Sequence, residues 1–467
     1  MKYVSTRGHA PVLGFGDTLL AGLASDGGLY VPEAWPQLPP VTPAPTGEPG
    51  ADYVATAVDV MLPYVEDTLT RDRFAPIVEQ AYSTFTHGDV CPVVPLGDDG
   101  LHLLELFHGP TIAFKDVALQ LVGRLFDHEL TRRDQRATIV VATSGDTGSA
   151  AIEACRDRLS LDIVVLHPKG RVSDVQRRMM TTVDQPNVHN VAIEGTFDDC
   201  QDLVKAMFAD ADFRDGISLS AMNSINWARV MAQVVYYVTA AATVAPGGSP
   251  VSFSVPTGNF GNVLAGWVAR RTGLAASQFV IASNSNDILT RWLTSGVMET
   301  KGVHPTISPA MDIQVSSNHE RLLFELFERD AERTAQAMAQ FRAEGRIDTG
   351  QTRLPGVSEV FDGASIDDTA TRAEIGRTYA ETGVILDPHT AVGVAAARQA
   401  RRDPDVPMVC LATASPAKFP EAVEQAIGVR PELPPHLADL LDRVERYEEL
   451  PADLDQIKDY IRRAVTR

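Results

Sequence analysis

A chain of 467 residues, 44% hydrophobic and 22% charged, has the profile of a globular protein of roughly three domains and excludes disorder of the whole chain. Its 61 acidic against 41 basic side chains leave a formal net charge of −20. That argues against nucleic acid or an anionic membrane as partner, since both demand clustered basic residues, while an anionic small substrate stays open because local donors decide that question.

Met1 to Arg7 carry no apolar run after their basic residues, so no signal peptide is expected. Residues 15–23 and 53–66 read as short helices, separated by seven prolines between Pro32 and Pro49 that mark a surface connector. Cys91, Cys155, Cys200 and Cys410 form no C-x-x-C pair. They read as small buried filler in a reducing, cytoplasmic compartment, with no disulfide framework and no thiolate zinc site.

From about Leu101 strand and helix alternate. Residues 137–142, 161–166, 188–193, 251–255, 279–282 and 408–412 are β-branched or apolar runs. A helix is expected from Thr147; Ser173 should cap the next, and Thr196 with Asp199 approaches a capping box. Such repetition implies parallel sheet covered by helices, an α/β fold. Residues 230–269 lack Asp, Glu, Lys and Arg, but the segment from Pro246 to Pro250 breaks the stretch and leaves at most 16 residues, Val230 to Ala245, before it, short of the ~20 a membrane span needs. It reads as a buried helix followed by a buried strand. Residues 319–345 read as one long amphipathic helix with Glu320, Arg321, Glu328 and Arg329 outward, residues 366–383 as another, and the last ~35 as a helical tail. There is no short-period repeat.

Common signatures are absent. No P-loop and no G-x-S-x-G elbow occur, Gly14-Phe15-Gly16 fails the dinucleotide fingerprint, and His128-Glu129 and His319-Glu320 lack the second histidine of a zinc helix. Two glycine-containing turns follow strands instead. Thr143-Ser144-Gly145-Asp146-Thr147-Gly148 opens a helix whose amides and hydroxyls could hold a carboxylate or phosphate; an ordinary capped βα turn is the alternative. Pro256-Thr257-Gly258-Asn259-Phe260-Gly261-Asn262 could gather amides on one phosphate, and an exposed Phe260 beside two Asn is unusual for a mere turn. Lys115, in Gly109-Pro110-Thr111-Ile112-Ala113-Phe114-Lys115-Asp116, is either a snorkelling lysine or a partly desolvated one available for a Schiff base. Asn223-Ser224-Ile225-Asn226-Trp227-Ala228-Arg229 suits a second anion or is a capped helix with a surface Arg. Thr413 and Ser415 follow the strand at 408–412, where open α/β sheets bind ligands.

Together, in order and across nearly the whole chain, these segments resemble the threonine synthases, in the longer branch shared by fungi and many bacteria. Ser5-Thr6-Arg7 and the stretch from Gly22 to Pro32 resemble that family's N-terminal segment. The resemblance implies a pyridoxal-phosphate enzyme of fold type II, tryptophan-synthase β-like. Two parallel-sheet lobes with helices on both faces would hold the cofactor between them, behind a mostly helical N-terminal segment. The implied domains are residues 1–90, a large cofactor-binding lobe of 91–122 and 250–430, a small lobe of 123–249, and a C-terminal helical tail of 431–467.

By the same resemblance Lys115 carries the cofactor as a Schiff base and moves protons. Gly258, Asn259, Phe260, Gly261 and Asn262 hold the cofactor phosphate, and Thr413, helped by Ser415, faces the pyridine nitrogen. Ser144 and Thr147 receive the substrate carboxylate; Ser224, Asn226 and Arg229 receive its phosphate. Asp146 stands where the wider fold family commonly has Asn. As an anion it would repel the substrate carboxylate, so it is expected to orient water or the cofactor's phenolic oxygen.

The implied reaction turns O-phospho-L-homoserine and water into L-threonine and phosphate, the last step of threonine biosynthesis, in a monomer or weak homo-oligomer with no metal. A related lyase releasing a 2-oxo acid is the alternative. A catalytically dead anion-binding protein is disfavoured because Lys115 is in place.

Overall fold

The computed structural model describes residues 1–38, 51–350 and 356–465; most of the proline-rich connector lies outside the described residues. The chain forms two compact units. The larger comprises Met1–Thr18, Leu23–Phe114 and Ser224–Pro431, the smaller Leu19–Gly22, Lys115–Asn223 and Glu432–Arg467.

The smaller unit holds a five-stranded sheet in the spatial order Glu448–Pro451, Val188–Glu194, Leu161–Pro168, Ala137–Ala142, Leu219–Ser220, every pair parallel. Its central strands are apolar on both faces because helices cover both, as parallel sheets require. Val140, Val164, Val191, Leu203, Met207, Ile457 and Ile461 form one core, each fully buried aliphatic side chain contributing about 1.5–3 kcal/mol. Helix starts follow local chemistry. Ser173 accepts from Gln176 N ahead of Asp174–Thr181, and Thr196 with Asp199 makes a full capping box ahead of Phe197–Ala209. The C-terminal residues, expected as a helical tail, carry the helix Leu454–Val465 and also supply the edge strand Glu448–Pro451.

Two helices of this unit, Lys115–Arg132 and Asp146–Cys155, lie side by side. Gly123 permits it: a Cβ there would sit 2.2 Å from the Ala154 carbonyl oxygen. Gly123 and Ala154 are each eight residues beyond the first residue of their helix, so the close crossing sets the spacing of Lys115 and Asp146 ~12 Å away. Gly123→Ala should therefore lower stability by about 1–3 kcal/mol, read from the urea midpoint, and impair the site more than its distance suggests. An unchanged midpoint would mean the helices slide apart freely.

The larger unit holds a six-stranded sheet ordered Phe361–Ser365, Ala276–Ser283, Val251–Pro256, Met408–Ala412, Leu101–Glu105, Val93–Pro95. All pairs are parallel except the last. Helix Pro388–Ala400 packs on it, with Ala391, Val394, Leu103, Val280 and Cys410 in one core. Tyr3–Ser5 pairs antiparallel with Tyr30–Pro32, and the helices Ala51–Val65 and Arg71–Tyr82 pack on each other. All four cysteines are buried free thiols, and burial pushes each up to about 12. Among the described residues no helix is long and apolar enough to cross a membrane.

The single helix expected over residues 319–345 is two, His319–Leu326 and Ala331–Glu344. Glu328 and Arg329 take left-handed φ of 55° and 63°, and Asp330 caps the second helix through Arg333 N. Nor do Glu320 and Arg321 face outward. Glu320 accepts from Thr6 Oγ1 (2.6 Å) and from Arg7 Nε and Nη2 (3.0 and 2.8 Å). Arg321 donates to the carbonyls of Tyr30 and Ile225. Both are buried because residues remote in the chain satisfy them.

Candidate active site

In the smaller unit, Lys115 is the first residue of its helix and Asp146 the first residue of the neighbouring one. Both are buried, and Lys115 Nζ donates to Asp146 Oδ2 at 3.1 Å. The other carboxylate oxygen accepts from Gln176 Nε2 at 2.8 Å, while Gln176 Oε1 accepts from Ser173 Oγ at 2.9 Å. Ser173 thus fixes which end of the Gln176 amide meets the aspartate. Gly145 adopts φ 134°, and a Cβ there would lie 2.8–3.0 Å from Gln176, so only glycine fits. Thr143 Oγ1 accepts from the amides of Gly145 and Gly148, both at 2.9 Å, and shapes the turn. Ser144 is exposed and Thr147 half-buried, at the head of a helix with no side-chain cap. Lys115 is therefore not a snorkelling surface residue, and Asp146 is engaged by the lysine and by Gln176.

In the larger unit, strand Val251–Pro256 leads through residues 257–260 into helix Gly261–Arg271. Phe260 turns the chain with a left-handed φ of 64°. It is buried, not exposed as its loop position suggested, edge-on to His319 at 5.3 Å. Burial pushes that imidazole down to about 3, so His319 is a neutral packing partner at physiological pH. The carbonyls of Gly258 and Asn259 are held by Ser316 Oγ (2.7 Å) and by Asn318 N and Nδ2 (3.1 and 3.0 Å). With those carbonyls tied back, the amides of residues 259–263 find no acceptor among the described residues. Gly258 has no room for a Cβ, which would lie 2.9 Å from Ala310 O. Asn262 Oδ1 accepts from Tyr236 and Tyr237 hydroxyls (2.6 and 2.9 Å), and its Nδ2 is buried with no partner among the described residues. A run of unsatisfied amides plus a buried amide donor at a helix N-terminus fits a phosphate group.

Asn318 Nδ2 also donates to Ser224 O at 3.0 Å, which ties residues 224–226 to the same loop. Ser224 is half-buried. Asn226 Oδ1 caps helix Trp227–Val244 through Ala228 N at 3.1 Å. Arg229 is not a surface residue: it is buried, and burial lowers its guanidinium to about 10, partly opposed by Tyr236. Thr413 is buried just beyond strand Met408–Ala412; its amide donates to Thr390 Oγ1 (3.2 Å) and its carbonyl accepts from Phe114 N (2.8 Å). Ser415 N donates to Ile112 O, and Ser415 Oγ caps a short 3-10 turn through Ala417 N. The residues just ahead of Lys115 are thus zipped to the Thr413 loop, and both Thr257 and Thr413 follow parallel strands of one sheet at their C-terminal ends.

Sequence reasoning missed Gln176, Ser316, Asn318 and the Asp387–Thr390 segment. Asp387-Pro388 carries a legible signal, an N-cap followed by Pro at the first helical position, but it marks a helix start and no more.

Three family models match the chain: Threonine synthase N terminus over residues 2–82, Pyridoxal-phosphate dependent enzyme over 94–414, and Threonine synthase, C-terminal over 390–461. A threonine synthase of Pseudomonas aeruginosa is 51% identical over 99% of this chain and 98% of its own; that of Schizosaccharomyces pombe is 42% identical over 92% and 90%. The crystal structure of pyridoxal-phosphate-bound threonine synthase from Brucella melitensis superposes with a TM-score of 0.96 at 49% identity, covering all of both chains. The yeast enzyme gives 0.92 at 37%, covering 99% and 98%. The architecture is fold type II of the pyridoxal-phosphate enzymes, and the chain belongs to the threonine synthase family.

Proposed function

We propose that this chain converts O-phospho-L-homoserine and water to L-threonine and phosphate with Lys115 as its proton-moving group. It is a pyridoxal-phosphate-dependent lyase of threonine biosynthesis. The observation that carries it is the buried lysine heading its helix, 3.1 Å from a carboxylate that Gln176 and Ser173 hold in place.

When bound, pyridoxal phosphate supplies the electron sink that makes the substrate's Cα and Cβ protons removable. The amides of residues 259–263 and Asn262 Nδ2 would hold its phosphate. Thr413 would meet the ring nitrogen with an uncharged hydroxyl, with Ser415 shaping that loop. Lys115 takes the proton from Cα and manages the one at Cβ, and Asp146 holds the lysine between these transfers. Phosphate leaves from Cγ and water adds at Cβ. Ser224 and Arg229 would receive the substrate phosphate, with Asn226 fixing the helix that presents Arg229; Ser144, Thr147 and the helix amides would receive the carboxylate. The net charge of −20 supports a partner list limited to small molecules, and four buried free thiols support a reducing, cytoplasmic setting.

Amino-acid analysis after incubation with pyridoxal phosphate and O-phospho-L-homoserine tests this directly. Threonine formed one-for-one with phosphate is the expected result. Phosphate with 2-oxobutyrate and no threonine would make the chain a lyase without the water-addition step.

A further inference from the structure

The N-cap of helix Pro388–Ala400 does more than start a helix. Asp387 is fully buried, and its carboxylate accepts four hydrogen bonds. Oδ1 takes His389 N and His389 Nδ1, both at 2.9 Å; Oδ2 takes Thr390 N at 3.2 Å and, more closely, Thr390 Oγ1. A cap needs only the backbone amides. The two side-chain bonds decide what His389 and Thr390 can do next.

With its hydroxyl proton on Asp387, Thr390 Oγ1 is left as an acceptor, and it accepts from Thr413 N at 3.2 Å. With the Nδ1 proton on Asp387, His389 Nε2 is an acceptor, and it takes Ala310 N at 3.2 Å. The Ala310 carbonyl lies directly against Gly258, where a Cβ would approach it to 2.9 Å. Gly393, one turn further along the same helix, lets it lie on Pro256 at the end of the strand feeding that loop.

We propose that Asp387 is a positioning residue that sets two separate groups at once: the phosphate-holding loop at Gly258, through His389 and Ala310, and the hydroxyl of Thr413, through Thr390. The proposal rests on the reading of residues 258–262 and Thr413 as cofactor-binding groups. Its logic lies in polarity. A carboxylate can accept from all four donors, whereas an Asn must present a donor on one side. If that donor faces His389, the imidazole must change tautomer and its acceptor for Ala310 N is lost; if it faces Thr390, the hydroxyl proton is driven off Asp387 and the hydroxyl that meets Thr413 N must reorient.

The test uses Asp387→Asn, Thr390→Val and Thr390→Ser, each checked for folding by circular dichroism and melting temperature. Equilibrium dialysis of pyridoxal phosphate against the apoprotein and the absorption maximum of the bound cofactor are read alongside kcat and KM. Asp387→Asn should weaken cofactor affinity or turnover by roughly ten- to a hundredfold, the range that outer hydrogen-bond partners of a bound group command. Thr390→Val should shift the absorption maximum and lower kcat, with the cofactor dissociation constant unmoved, and Thr390→Ser should restore both. A folded Asp387→Asn with wild-type affinity and spectrum, or Thr390→Val indistinguishable from wild type, overturns the proposal. Thr413→Val separates the two levels. If it shifts the spectrum while Thr390→Val does not, the proposal alone fails; if Thr413→Val leaves the spectrum unmoved, the underlying reading of Thr413 falls and the proposal with it.

Discussion

Replacing Lys115 by alanine should abolish turnover, and replacing it by arginine should abolish it equally while sparing the fold. The two variants separate chemistry from stability. Lys115 and Asp146 are both buried and 3.1 Å apart, so alanine removes the cation facing that carboxylate while Gln176 Nε2 still donates to it; losing one partner of a buried pair costs about 3–5 kcal/mol. Arginine keeps the positive charge and can keep the pair, but its guanidinium stays protonated at any working pH and can neither form a Schiff base nor take a proton. Both variants should lose at least about a thousandfold in kcat, the span a positioned proton-transfer group supplies, together with the visible absorbance of bound pyridoxal phosphate. Only Lys115→Ala should melt early, and adding Asp146→Asn to it should recover melting temperature without activity. Wild-type turnover in either single variant would remove Lys115 from the mechanism. A Lys115→Ala protein as stable as wild type would mean the ion pair carries no net stability.

The elements legible in the sequence are those whose cause is local or periodic. The runs at 137–142 and 408–412 coincide with Ala137–Ala142 and Met408–Ala412, because strands buried on both faces must be apolar throughout. Ser173 and Thr196 cap where expected because a cap is settled within three residues. The edge strand Glu448–Pro451 was hidden for the opposite reason. An edge is guarded by charge, and Glu448-Glu449 reads as part of a helical tail until Lys169 is seen 2.6 Å from Glu449. Charge alone predicts an outer face for Glu320 and Arg321, and the partners that bury them, Thr6, Arg7, Tyr30 and Ile225, come from elsewhere in the chain. The same limit applies to the site. Lys115, the 143–148 turn and the 258–262 loop stand out as an ordered set, though each alone has an ordinary reading. Asn318 does not: it holds Ser224 and Asn259, 94 and 59 residues away, and no local pattern records that. The loop position of Phe260 predicts an exposed ring because turns usually lie at the surface. Its left-handed backbone instead tucks the ring against His319 and leaves the following amides open.

Arg229→Met should raise KM for O-phospho-L-homoserine by about 2–5 kcal/mol, thirtyfold or more, if the guanidinium meets the substrate phosphate in its buried position. Burial holds that guanidinium near 10, below its ordinary value. A cation whose folded pKa is lowered is penalised in the folded state at every pH below that value, and the penalty fades only as pH rises through about 10 toward the ordinary guanidinium value. At physiological pH that burial penalty is in force, and an arriving dianion would offset it. A non-reacting phosphonate analogue of the substrate should accordingly raise the melting temperature of the wild type well above any shift it gives Arg229→Met. Arg229→Lys should fall between them, since an ammonium keeps the charge but loses the planar two-point contact. Because the cofactor's phosphate is assigned to other residues, affinity for pyridoxal phosphate should be the same in all three proteins. An unchanged KM in Arg229→Met would move the substrate phosphate elsewhere. A parallel loss of cofactor affinity would mean that Arg229 serves the cofactor's phosphate instead, and that the two anion sites were assigned the wrong way round.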